Sequence, residues 1–319
     1  MSLPAKAVIV LGRSIWTTIW QVMMAQLAPP SADGEYLRPE SGFRGAIESE
    51  GQYRLFVGRS CPWAHRTLLV RALLGLEDLL PVSWTLPSAE DGGWRLAEEY
   101  QGCDRLSEVY QLGSPGYRGR STVPMLWDEK LGRPVNNESS EIIVMLNEVF
   151  SSQLDLYPVA LRGEIDRWNA LIYDRVNNGV YRCGFAQSQG AYDAAVEGLF
   201  GMLEELEEHL EGRSFLVGEA VSLADVRLFP TLVRFDLVYF GLFKCCRRRV
   251  RDYRNLSRYV GEIYRLPGVA DTCDFGAIVE GYYGSLFPLN PGGLCRWWEI
   301  WDGCKVWDTH FCSSPLRWD

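Results

Sequence analysis

A small α/β sheet domain followed by an all-helical domain is the fold class predicted by this sequence of 319 residues. Three observations carry that prediction. A β run, a helical run and a second β run succeed one another between Tyr53 and Leu86, the order of a βαβ unit. After Leu156 the patterns become long and helical, with little alternation of strand type. The length also exceeds the roughly 250 residues at which a single core usually stops growing.

The elements follow in order. Residues 1–50 are read as an amphipathic helix and an arm. Within Ala7 to Leu27, Trp16, Trp20, Met23 and Leu27 recur at helical spacing, with Ser14, Thr17, Thr18 and Gln21 opposite. Packing of this helix on the protein's own body is expected. An interfacial membrane helix is the alternative; a true span is opposed by Arg13 and the central polar residues, although the stretch approaches the roughly 20 residues a bilayer requires. A cleaved signal peptide is disfavoured because no small-x-small site precedes Pro29-Pro30. Pro29 to Gly51, rich in Pro, Ser, Gly and charge, reads as an arm.

Residues 51–155 form the sheet domain. Here "YRLFVG" is a strand, Pro62 to about Leu74 a helix, "LPVSWTL" a second strand, "TVPMLWDE" a third after Pro124, and "NNESSEIIVMLNEVF" a helix starting at Glu138 or Ser139. Residues 156–293 are helical. Ser222 followed by Asp225 marks a helix N-terminus, because both side chains accept hydrogen bonds from free backbone N–H groups, and Pro230 is expected to end or kink that helix. Residues 294–319 form a tail with Cys295, Cys304, Cys312 and Trp297, Trp298, Trp301, Trp307 and Trp318, without helical or strand period.

Composition limits the function. Hydrophobic residues are 47% and charged residues 23%, which predicts a folded chain. The formal charge of −9 argues against nucleic acid as a partner. Nine cysteines of odd count and irregular spacing do not form a secreted disulfide framework and fit a reducing cytoplasm. No repeated C-x-x-C pair occurs, and only His65, His209 and His310 offer imidazoles, so no metal site is expected.

The chemistry centres on Cys61. At a strand-to-helix junction, unpaired N–H groups and the helix dipole favour negative charge, so a lowered thiol pKa is expected there. Pro62 suits the first helical position and places Cys61 at the N-cap; Arg59 and Arg66 are near enough in sequence to add positive potential. A buried, inert sulfur is the alternative. No second cysteine stands at C-x-x-C spacing, so a one-thiol mechanism with an external thiol is favoured over a dithiol. His65 is expected to pack along the helix, since no Asn or Asp partner for a Cys-His base is identified. The Val123-Pro124 bond is a candidate cis peptide that would turn the Val123 backbone toward a ligand. Ser139 at a helix start offers a hydroxyl and N–H groups to a carboxylate, and Glu138 can meet an ammonium. Thiolate, peptide-pairing edge and amino-acid clamp together describe a site for glutathione.

The segments "SCPWAHR", "GRSTVPMLWD", "NNESSEIIVMLNEVF", "VNNGVYRCGFAQSQGAYD", "LADVRLFPTLVRFDLVYF" and "IVEGYYGS" resemble the xi class of glutathione transferases, the glutathionyl-hydroquinone reductases. The likeness runs in order from about Arg38 to Pro291. C-P-W-A together with V-N-N-G-V-Y is specific; C-P-x-A alone also suits omega-class transferases. The resemblance implies a thioredoxin-like N-terminal domain, a helical glutathione-transferase C-terminal domain and a homodimer. It implies glutathione as co-substrate, without metal, and glutathionylated hydroquinones as substrates. Carried onto this chain, it makes Cys61 the nucleophile, Trp94, Arg120, Val123, Glu138 and Ser139 the glutathione-holding residues, and Tyr181 and Tyr282 the groups facing the aromatic ring. The chain departs from the family after Ser285, with Leu286 where the resemblance expects a histidine.

Two other functions fit part of the pattern. One is an omega-like thioltransferase or dehydroascorbate reductase acting on general mixed disulfides. The other is a non-catalytic scaffold making peripheral membrane contact through its first helix, aided by "KCCRRRVRDYR" from Lys244 to Arg254; that patch is read first as a solvated connector.

Overall fold

The computed structural model describes residues 4–47, 49, 51–88, 93–150 and 152–295. Of the tail, only Leu294 and Cys295 fall within them; Cys304, Cys312 and the five tail tryptophans lie outside the described residues.

The central strand is β1 (Tyr53–Gly58), whose Leu55, Phe56 and Val57 are all fully buried. A continuous apolar run fits a strand covered on both faces. It pairs in parallel with β2 (Val82–Pro87), Leu55 opposite Val82, and the crossover between them is α2 (Pro62–Leu73). On the other side β1 pairs antiparallel with β5 (Met125–Asp128), which pairs with β6 (Arg133–Asn136). Outside β2 lie β3 (Trp94–Tyr100) and β4 (Cys103–Arg105), giving the order β4-β3-β2-β1-β5-β6. The sequence reading found neither β3 nor β4, nor β6, nor α3 (Leu106–Gly113). The physical reason is visible in β3: Leu96 is its one buried residue, so a strand with one apolar anchor shows no alternation to read.

On the sheet, α2 packs against α4 (Ser139–Val149) and reaches α8 (Leu223–Arg234) in the helical half. That half contains α5 (Arg162–Leu171), a π-helical turn at Ile172–Asn177, α6 (Gly179–Phe185), α7 (Gln189–His209), α8, α9 (Arg254–Tyr264) and α10 (Phe275–Ser285). The α8 start is the expected capping box: the Asp225 carboxylate accepts from the Ser222 N–H at 2.8 Å, and the Ser222 hydroxyl accepts from Ala224 N–H at 3.3 Å. Pro230 does not end this helix. It is buried inside α8, which continues to Arg234 and then into a π-helical turn at Phe235–Tyr239; burial of the surrounding face outweighs the local penalty of the ring.

The arm docks on the sheet domain, with Phe43 N–H donating to the Asn137 side chain at 2.9 Å and Arg44 bridging Asn136. The first helix, α1 (Ala5–Leu27), departs from expectation. Packing on the body is concentrated toward its C-terminal end, where Met24 and the following Ala28 are fully buried and Trp20 and Met23 half-buried, whereas Val8, Ile9, Val10, Leu11, Ile15, Ile19 and Val22 stand in solvent. The face read from the sequence packs at Trp20 and Met23, while a neighbouring apolar face that the sequence reading did not name stays exposed among the described residues. The Lys244–Arg254 patch is engaged locally: Arg247 pairs with Glu197 at 2.8 Å, and Arg248 and Arg249 stack on Tyr253 and Phe240.

Candidate active site

Cys61 is the N-cap of α2, in extended conformation, with Pro62 as the first helical residue. Proline fits there because that N–H has no intrahelical partner and its fixed φ is already helical. The Cys61 N–H donates to Gly58 O at 3.0 Å, and its thiol lies 3.6 Å from Val123 O. The Val123–Pro124 peptide is cis. Half-buried Cys61 lines a cleft of about 580 Å³. That cleft brings together all eight residues singled out from the sequence: Cys61, Trp94, Arg120, Val123, Glu138, Ser139, Tyr181 and Tyr282.

The expected lowering of the thiol pKa is corrected. Burial pushes the Cys61 thiol above its ordinary value, and this outweighs the opposing N–H groups of Ala64 and Trp63 and the charges of Arg234 and Arg38. The cations that favour the thiolate are therefore not the sequence neighbours. Arg59 lies at the surface, 3.5 Å from Asp274 and stacked on Trp84, and Arg66 turns away to donate to Ser139 Oγ at 3.3 Å and Asn177 Oδ1 at 2.5 Å. Desolvation lowers the Arg66 pKa to about 9.

Arg234, fully buried on α8, holds the Cys61 loop from the other half of the molecule. Its Nε donates to Ser60 O at 3.1 Å, Nη2 to Arg59 O at 3.3 Å, and Nη1 lies 2.8 Å from His65 Nδ1. His65 makes its other contact with Thr272 Oγ1 at 2.8 Å. Its pKa is lowered well below the ordinary imidazole value by burial and by Arg234, so it is a neutral strut in the helix packing.

Glu138 caps α4. One carboxylate oxygen accepts from Ser140 N–H at 3.1 Å and the Ser140 hydroxyl at 2.9 Å, the other from the Ser41 hydroxyl at 2.8 Å. Burial raises its pKa, but these hydrogen bonds and the charge of Arg66 win, and the net shift is downward. A carboxylate ionised at neutral pH and the Ser139 hydroxyl thus stand side by side at a helix start. Trp94 crosses Gly58 so closely that a Cβ there would come within 2.4 Å of the indole. Arg120 is exposed on the rim, its carbonyl accepting from the Tyr117 hydroxyl at 3.1 Å.

The opposite wall is aromatic. The Tyr181 and Tyr282 hydroxyls are 2.7 Å apart, and Tyr239 joins Tyr282 at 2.9 Å. Burial pushes Tyr181 and Tyr282 well above the ordinary phenol value and Tyr239 up to about 12, so all three are neutral donors at physiological pH. Trp63 stacks on Tyr181 with centroids 6.2 Å apart, and the Arg38 guanidinium lies 3.7 Å above the Trp63 ring. Tyr282 reaches the site because α10 lies directly on the Cys61 loop: a Cβ on Gly281 would stand 2.4 Å from Ser60 Cβ. Leu286, at the end of α10, lines the rim where a histidine was expected.

Sequence reasoning missed Tyr239, Arg234, Arg38 and Trp63. Tyr239 and Arg234 sit in quoted helical segments, yet only the packing of α8 on the Cys61 loop gives them a part; Trp63 stands two residues from Cys61 inside the C-P-W-A motif and was the one legible signal. Among the described residues no group of three or more His, Cys, Asp or Glu side chains is placed to hold a metal ion, and no disulfide is formed.

Comparison with known proteins gives the family. Residues 60–149 match the glutathione S-transferase N-terminal domain and residues 189–262 the glutathione S-transferase C-terminal domain. The chain is 46% identical to glutathionyl-hydroquinone reductase PcpF of Sphingobium chlorophenolicum, over 83% of this chain and 90% of that one. It is 41% identical to glutathionyl-hydroquinone reductase YqjG of Escherichia coli, over 83% and 89%. Among solved structures, the xi glutathione transferase of Phanerochaete chrysosporium superposes with a TM-score of 0.80 at 42% identity, covering 83% of this chain and 93% of that one. The glutathione-bound structure of YqjG superposes with a TM-score of 0.75 at 42% identity, covering 84% and 90%. On its sequence, its fold and this cleft, the chain belongs to the glutathione transferase family, in the xi class of glutathionyl-hydroquinone reductases.

Proposed function

We propose that this enzyme reduces glutathionyl-hydroquinones with glutathione, through a Cys61–glutathione mixed disulfide. The observation that carries the reading is the single cleft that joins one cysteine at a helix start to a hydrogen-bonded row of neutral phenols. In the first half-reaction the Cys61 thiolate attacks the sulfur that links glutathione to the ring. The sulfur–carbon bond breaks, a disulfide forms, and the ring carbon takes the bonding pair and then a proton. Tyr181 and Tyr282, held protonated by burial, hydrogen-bond the ring oxygen and supply that proton; Tyr239 keeps Tyr282 oriented. The ring is reduced and sulfur oxidised, so the electrons balance. A second glutathione, as thiolate, then attacks the mixed disulfide, releasing glutathione disulfide and the Cys61 thiolate.

In this reading Glu138 and Ser139 take the amino-acid end of glutathione, Val123 pairs with its peptide backbone, and Trp94 and Arg120 close over it. Burial raises the Cys61 thiol pKa, while the N–H groups of Trp63 and Ala64 and the charges of Arg234 and Arg38 favour the thiolate that attacks. We place the enzyme in the cytoplasm as a homodimer, which light scattering on the purified chain tests directly.

The decisive experiment is glutathione-dependent reduction of glutathionyl-menadiol by the wild type and by Cys61→Ser. Turnover by the wild type with a loss of about a thousandfold or more in the variant is expected, together with a trapped Cys61 adduct of one glutathione by mass spectrometry. Equal rates would dismiss Cys61 as nucleophile. Reduction of simple glutathione mixed disulfides without turnover of the hydroquinone conjugate would establish the omega-like thioltransferase instead.

A further inference from the structure

We infer that the outer face of α1 docks on an anionic bilayer surface beside the mouth of the active-site cleft, so that the enzyme serves hydroquinone conjugates whose ring carries a lipid-soluble chain. The substrate part of this inference rests on the function proposed above; the docking part does not.

At about 100° per residue, Val8, Leu11, Ile15, Trp16, Ile19 and Val22 fall within one sector about 140° wide. All six are exposed, Ile15 at 51%, as are Ile9 at the margin of the sector and Val10 behind it. Among the described residues the helix is buried at its C-terminal end, through Met24 and the adjoining Ala28, with Trp20 half-buried one turn earlier. Its two cations, Lys6 and Arg13, are exposed and one heptad apart, on the side facing away from that sector. No Asp or Glu occurs before Asp33, although the chain as a whole carries −9. An apolar sector, a cationic back and tryptophan near the boundary is the layout of a helix lying in a lipid headgroup layer, with cations reaching anionic headgroups.

A second copy of the helix fits less well. A coiled-coil seam is narrower and is usually sustained over three or four heptads with charged flanks, whereas this sector is broad, spans about two heptads and has no flanking charge pairs. A span is disfavoured by Arg13, Ser14, Thr17, Thr18 and Gln21 near its middle.

Position links the face to the site. Trp16 approaches Phe287, ring centroids 6.5 Å apart, and Phe287 is half exposed and follows Leu286, which lines the cleft. The arm that leaves α1 supplies Tyr36 and Arg38 to the same cleft. A bilayer touching α1 therefore lies beside the cleft rim, where the polar glutathione end of a conjugate stays in water and an apolar chain can remain in lipid.

The test uses the full chain and vesicles of phosphatidylcholine with or without phosphatidylserine. The wild type should sediment with the anionic vesicles, several-fold more than with neutral ones. Ile15→Ser/Ile19→Ser should reduce that partition at least tenfold, and Arg13→Glu several-fold, with turnover of water-soluble glutathionyl-menadiol unchanged. Turnover of a long-chain glutathionyl-hydroquinone held in the vesicles should fall with binding. A wild type that stays in the supernatant overturns the inference, as does binding that the double variant leaves intact. An oligomer that the double variant dissociates, without vesicle binding, assigns the face to a second copy and overturns it equally. Failure of both substrates with binding preserved removes the proposed reaction and leaves the docking face standing.

Discussion

The two ends of the active-site cleft are built in different ways. The thiol end comes from short, sequence-local devices: the N-cap at Cys61 with Pro62, the Val123–Pro124 turn, and the Glu138 cap with Ser139 beside it. The phenol end comes from three helical segments whose tyrosines are far apart in the chain, Tyr181, Tyr239 and Tyr282, and meet through hydroxyl contacts of 2.7 and 2.9 Å. Each capped helix can hold its own polar group, whereas the tyrosine row exists only when α6, α10 and the turn after α8 are all packed. The lesson is that binding of glutathione and protonation of the ring should fail separately under mutation.

The residue that spans both ends gives the largest expected effect. Arg234→Met strips hydrogen bonds from the Arg59 and Ser60 carbonyls and removes a charge that favours the Cys61 thiolate. Leaving buried acceptors unpaired costs about 1–3 kcal/mol each, so a loss of about 3 kcal/mol in denaturant stability is expected. Because the thiol is already raised by burial, loss of this cation moves it further up: at a given pH below the thiol pKa the thiolate fraction drops, and the alkylation profile with iodoacetamide shifts to higher pH. An unshifted profile would mean that Arg234 acts only as a structural tie.

Tyr282→Phe removes the central hydroxyl of the row. Turnover of glutathionyl-menadiol should fall about a hundredfold in kcat, while reduction of a simple mixed disulfide at Cys61 holds. If both reactions fall together, the two ends are not separable. Glu138→Gln attacks the other end: the KM for glutathione should rise about tenfold, corresponding to about 1.4 kcal/mol, with first-half-reaction chemistry at saturation little changed. The smallest effect is expected for Tyr239→Phe, about threefold in kcat, because it touches the row through Tyr282 alone; a loss as large as that of Tyr282→Phe would mean that proton donation by Tyr282 depends on its bond to Tyr239.

Much of this was legible because it depends on neighbours in the chain. The β1–α2 junction, the α4 cap and the capping box at Ser222 and Asp225 all follow from local backbone N–H groups seeking acceptors, and the family resemblance supplied Trp94, Arg120, Tyr181 and Tyr282. Other features were illegible for equally physical reasons. β3 has only Leu96 to bury, so no alternation marks it. Pro230 looked like a helix end because its local penalty is visible and the burial that outweighs it is not.

The sequence by itself determined the β1–α2–β2 unit and the helical second half, the cysteine at a helix start and the polar caps around it, since local pattern and a few residues of hydrogen bonding decide each. Only the tertiary structure decided the state and setting of those groups. The Cys61 thiol is raised because burial in the cleft outweighs the helix N–H groups, and the charges acting on it come from Arg234 and Arg38 instead of Arg59 and Arg66. Likewise the Trp16, Trp20, Met23 and Leu27 face of α1 was written in the sequence, whereas the exposure of Val8, Leu11, Ile15, Ile19 and Val22 was not: burial depends on whether a matching surface lies in reach, and among the described residues none covers them.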